Sequence, residues 1–138
     1  MSLRGTLVGH VVCNTSPQEY RFVMKSVAAR LGDLVYLEAQ IPRSREVSEH
    51  YKSETVIVWG RIVELARYNP FLQVEAGREL AEEGLRLTDT VLSVSRDQVD
   101  GKVLILGMTR EANDSQLKPL SYPISPGSEV YLPPKEAV

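Results

Sequence analysis

The chain of 138 residues contains one cysteine, Cys13, and two histidines, His10 and His50. A lone cysteine forms neither an internal disulfide nor a cysteine-based zinc cluster, and it suits a reducing compartment. There is no His-x-x-x-His pair, no Cys-x-x-Cys and no calcium loop, so metal binding has no sequence support. A phosphate loop needs Gly-x-x-x-x-Gly-Lys-Ser/Thr. The one Gly-Lys pair, Gly101-Lys102, is followed by Val103 and has Arg96 where the first glycine should stand. Long apolar runs are missing too. A membrane span needs roughly 20 apolar residues, and "MSLRGTLVGHVV" is broken by Gly9 and His10 and lacks the shape of a signal peptide. Nor does one sign of charge dominate: 16 Lys and Arg stand against 18 Asp and Glu, a net charge of -2. These absences lead to the expectation of a soluble cytoplasmic protein, not an enzyme in its own right, with no cofactor and no membrane partner.

What is present is enough for a core. Hydrophobic residues make up 43% and charged residues 25%, and the length fits a single domain, residues 1–138. "GTLVGHVV" is short and β-branched and ends at the turn formers Asn14 to Pro17. In "EYRFVMK", Tyr20, Phe22 and Met24 alternate with polar neighbours, the period of a half-buried strand. The two segments together predict a hairpin. After a turn at Gly32-Asp33, "LVYLEAQI" reads as a third strand, and Pro42 to Glu54 as a polar surface loop longer than most. Val56 to Leu65, "VIVWGRIVEL", is the most apolar strand candidate, and Gly60 inside it predicts a bulge or tight bend.

From Arg67 to Asn69 the chain is expected to leave that strand. Asn69 followed by Pro70 is a helix-start signal, predicting a helix over about 70–83 that stops at Gly84. "TVLSVSR" alternates weakly, "DQVDG" is a turn candidate and "KVLILGM" a buried strand. The proline-rich end, 119–138, carries a last short strand at Val130 to Leu132 before Pro133-Pro134, which cannot continue a ladder. The fold class expected is mainly β: a small closed or nearly closed antiparallel β-barrel of six or seven strands with one α-helix, since closure removes exposed edges.

Candidate chemistry is sparse. His10 lies inside the first strand, where a hydrogen-bonded structural role outweighs a catalytic one, and Cys13, three residues on, would face the other way. His50 lies in the polar loop, and the glutamates cluster there and on the helix as solvated groups. Arg43 and Arg45 in the loop, with Arg61 and Arg67 on the long strand, are the candidates for nucleic-acid binding. Small barrels of the OB type hold single strands on aromatic and basic side chains, and Tyr20 and Phe22 beside Arg21 and Lys25 fit such a surface. As alternating residues of a half-buried strand, the aromatics fit a core better. Glu46 and Glu49 blunt the charge of Arg43 and Arg45.

The order "GHVV…TSPQEYRFV…LGDLVYLE…VWGRIVELARYNPFL…PISPGSEVYLPP" resembles the amino-terminal HAS barrel of HerA-type ATPases, a module similar to the one that opens the subunits of rotary ATP synthases. Nearly the whole chain takes part. The most telling pieces are Gly9-His10-Val11-Val12 before the turn at Thr15-Ser16, Gly60-Arg61-Ile62-Val63 with Asn69-Pro70 after it, and Pro126-Gly127-Ser128-Glu129-Val130. The resemblance implies an accessory, non-catalytic barrel preceding a RecA-like motor of a hexameric DNA-translocating ATPase. It implies service in subunit assembly and docking of a NurA-type nuclease in DNA repair, with ATP and Mg confined to the motor. The alternative is a free-standing OB-like barrel that binds single-stranded nucleic acid.

Overall fold

A computed structural model describes residues 5–25, 29–42, 53–68 and 98–134. Six strands lie among them: β1 (Thr6–Val12), β2 (Glu19–Met24), β3 (Leu34–Pro42), β4 (Ser53–Tyr68), β5 (Gln98–Thr109) and β6 (Glu129–Leu132). They close into a barrel in the order β1-β2-β5-β4-β3-β6, and every neighbouring pair is antiparallel. The mainly β, closed antiparallel architecture read from the sequence is the one observed, with six strands among the described residues. The expected helix over 70–83, the "TVLSVSR" segment, and Arg43 and Arg45 with most of the 42–54 loop lie outside those residues.

Alternation sorts the interior from the surface. Tyr20 and Phe22 point inward from β2 while Glu19 and Arg21 stay outside. From β3, Val35, Leu37, Ala39 and Ile41 are buried, and Val56, Val58 and Ile62 of β4 meet them. The barrel core also takes Leu120 and Ile124 from the proline-bearing segment before β6, and the Thr15 hydroxyl fixes that segment by donating to the Ile124 carbonyl at 2.6 Å. Isolated apolar residues in a polar stretch gave little sequence warning of this role.

Two register shifts interrupt the β4–β5 ladder. Trp59 pairs with Gly107 and Gly60 with Ile105, so Leu106 is an extra residue on β5. Ile62 pairs with Val103 and Glu64 with Lys102, so Val63 is an extra residue on β4. The bulge expected at Gly60 is there, with the inserted residue on the partner strand. A Cβ on Gly60 would run into Val103 Cγ1 and stand 3.0 Å from the Leu104 carbonyl oxygen. The wall is therefore too close at this bend for any side chain.

Three expectations need correcting. Pro42, Ser53 and Glu54, expected in the polar loop, are strand: Pro42 pairs with Ser53 and Ile41 with Glu54. β4 does not end before Arg67, which pairs with Val99, but continues to Tyr68. Of "DQVDG", Gln98 to Gly101 supply strand, not turn. Gln98 to Gly101 pair with Tyr68 to Leu65, and Asp100 and Gly101 also pair with Val23 and Phe22 of β2. A ladder on both sides of Asp100 and Gly101 outweighs the local turn preference of Asp-Gly.

Outside the barrel wall, Tyr36, Ile57 and Trp59 form a second buried cluster, with Leu34, Ala112 and Tyr131 packed on it. Around Tyr36 and Trp59, β3 and β4 are thus covered on both faces. Their seam to β6 is thin: a single register pair, Tyr36 with Tyr131, joins β3 to β6.

Candidate functional site

On the β4–β5 wall the two bulges help to bring apolar residues to solvent. Val63 and Leu106, the inserted residues, are 44% and 43% exposed, and Leu104, between them on the outer face, is 45% exposed. A bulge leaves its extra residue outside the ladder and re-aims its side chain. The result is an apolar stripe on an otherwise charged wall.

Across this wall the charges alternate. Arg61 sits opposite Leu104, which sits opposite Glu19; Glu64 sits opposite Lys102, which sits opposite Arg21. Lys102 Nζ lies 2.9 Å from Glu19 Oε2. Such interleaving keeps the surface solvated without building a strong field of one sign.

Of the four arginines singled out in the sequence, the structure describes two. Arg61 lies on the outer face and donates from Nη1 to the Gly32 carbonyl at 2.9 Å. This ties β4 to the turn in which Gly32 takes a φ of 91°. Arg67, opposite Val99, falls on the other side of the sheet, because the Val63 bulge resets the alternation between them. The register separates these two cations rather than bringing them together. Tyr20 and Phe22 are core residues, 1% and 0% exposed, and offer no stacking platform.

His10 is half-buried on β1, across from Val23 and Glu129. Among the described residues nothing hydrogen-bonds its ring. Cys13 follows β1 in an exposed position with φ 63°. Among the described residues no three metal-ligating side chains converge.

The remaining polar feature is a shallow surface depression lined by Arg110, Glu111, Asp114, Ser115, Gln116 and Lys118. Asp114 Oδ2 accepts the backbone N–H groups of Arg110 and Glu111 at 3.1 and 3.2 Å, which holds the turn. Arg110 Nε pairs with Glu54 at 3.2 Å. The Asp114 bonds are internal to the loop, and the Arg110 pair ties it to β4.

Three phenols are perturbed. Burial raises the Tyr20 pKa far above the ordinary phenol value, and its hydroxyl has no hydrogen-bond partner among the described residues. Burial also raises Tyr36, against the bond it accepts from the Gly5 N–H at 2.9 Å. Burial, a hydrogen bond to Glu129, and the negative charges of Glu129 and Glu38 raise Tyr131. Phenols held protonated in this way are packing and hydrogen-bonding groups, not nucleophiles at neutral pH.

Compared with protein-family models and with curated proteins, the sequence matches none.

Proposed function

We propose that this chain is a non-catalytic accessory barrel of a HerA-like hexameric DNA-translocating ATPase, serving subunit assembly and docking of a nuclease partner. One observation carries the reading. The sequence pieces that resemble the HAS barrel fall at the joints of a closed barrel. Gly9-His10-Val11-Val12 and Pro126-Gly127-Ser128-Glu129-Val130 lie side by side: the Val11 N–H donates to the Ser128 carbonyl at 2.9 Å, and the Gly127 N–H donates to the Val11 carbonyl at 2.7 Å. Gly127, with φ 90°, makes the turn that admits β6. Gly60-Arg61-Ile62-Val63 spans the stretch between the two bulges.

In this role the barrel is a collar and works through its surface. ATP and Mg belong to a RecA-like motor of the same protein. Sedimentation of the motor with and without the barrel tests the reading. The barrel should favour the hexameric ring, and a ring that assembles equally well without it would remove the collar role. Reading the gene past Val138 for a Walker A motif tests the premise separately.

A further inference from the structure

We infer that the barrel opens at the β3–β6 seam, where β6 parts from β3 while staying on β1, and that the Tyr36–Tyr131 pair latches it shut. The inference rests on the strand register and does not depend on the proposed function.

Three features weaken this seam. The ladder between β3 and β6 is one register pair, Tyr36 with Tyr131, whereas β3 pairs with β4 along its whole length from Leu34 to Pro42. Continuing the register one way brings Pro133 opposite Leu34, and proline has no N–H to donate. Continuing it the other way brings Glu129 opposite Glu38. Both are exposed on the outer face, and neither carries an ion pair among the described residues. Like charges directly opposite each other on neighbouring strands repel. Both carboxylates act on the Tyr131 phenol, which agrees with their closeness. The other titratable group facing Glu129 is His10, across the β1 edge.

Against these stands the latch. The rings of Tyr36 and Tyr131 stack at 5.5 Å with an interplanar angle of 22°. Gly5 N–H donates to Tyr36 Oη, while the Tyr131 Oη bond to Glu129 at 3.0 Å stays within β6 and orients the Tyr131 ring. Meanwhile β6 is well held on its other side. Thr6, Leu7, Gly9 and His10 pair with Leu132 to Glu129, and the loop before β6 bonds to Val11. An opening therefore swings β6 away with β1 and bares an edge of β3. Such an edge is of the kind that accepts an extended strand.

Native-state hydrogen exchange on the 138-residue chain tests this. Amides of Tyr36 to Gln40 and Glu129 to Leu132 that face the seam should exchange about tenfold or more faster than those of Val58 to Ile62 and Val103 to Ile105, by a sub-global opening. Glu38→Lys turns the opposed pair attractive and should slow seam exchange about threefold, leaving β4 and β5 unchanged. Tyr131→Ala should speed it. Glu111→Lys, a control for net charge, should leave it alone. Seam amides that share the slow rate of β4 and β5 would overturn the inference, as would a Glu38→Lys effect matched by Glu111→Lys.

Discussion

Trp59 donates its indole N–H to the hydroxyl of Thr109 at 2.9 Å, in a buried contact that spans β4 and β5 beside the Leu106 bulge. Trp59 also meets Tyr36, ring centroids 5.6 Å apart at 45°. This polar bond helps to fix the outer aromatic cluster to the wall. Thr109→Val keeps the shape and strands the indole N–H, which should cost about 1–3 kcal/mol. Thr109→Ser should recover most of that. Denaturant midpoints of the three proteins check it, and equal midpoints for valine and threonine would show that the bond contributes nothing.

Gly60 offers a second test. A branched side chain there meets Val103 and the Leu104 carbonyl, and β5 cannot retreat without disturbing the bulge at Leu106. Gly60→Val should destabilise by about 1–3 kcal/mol or more, the range for overpacked interiors. An unchanged thermal midpoint would refute the crowded bend.

The difference between what the sequence revealed and what it hid has a physical basis. Alternation identified β2, because one face of it is buried and the other solvated, and turn chemistry identified Gly32-Asp33. Gly101 was misread for an equally specific reason. Asp-Gly favours turns in isolation, yet here Gly101 leaves room for the Phe22 ring, which a Cβ at that position would strike. Only the cross-strand register reveals that use. The apolar stripe was illegible for the same cause. Val63, Leu104 and Leu106 look like core residues in sequence, and the two bulges turn Val63 and Leu106 out of the ladder.

Nucleic-acid binding by this chain alone should be weak. Arg61 is engaged with Gly32, Arg67 lies on the opposite face, and Glu19, Glu64 and Asp100 interleave with the outer cations. Titration with a labelled oligothymidine at low salt should give no saturation below roughly 10 µM, the non-specific regime. Arg61→Ala should leave that curve in place. Saturable, salt-sensitive binding below about 1 µM would move the reading to the single-strand-binding alternative.

Tyr20 carries the last prediction, which concerns alkaline pH. Its hydroxyl is buried and unpartnered among the described residues, and burial holds it protonated well above the usual range. The unfolded chain releases that proton near pH 10, whereas the folded chain keeps it. Stability is therefore indifferent to this group below about pH 10 and falls above it, by up to about 1.4 kcal/mol per pH unit. Tyr36 and Tyr131 are raised as well and add slope of the same sign. Tyr20→Phe removes one phenol and a hydroxyl whose burial went uncompensated. It should match or exceed the parent's stability at pH 7 and show a shallower decline between pH 10 and 11.5. A phenylalanine variant less stable at pH 7, with an unchanged alkaline limb, would mean that the Tyr20 hydroxyl has a partner in solution and that its proton does not set this limb.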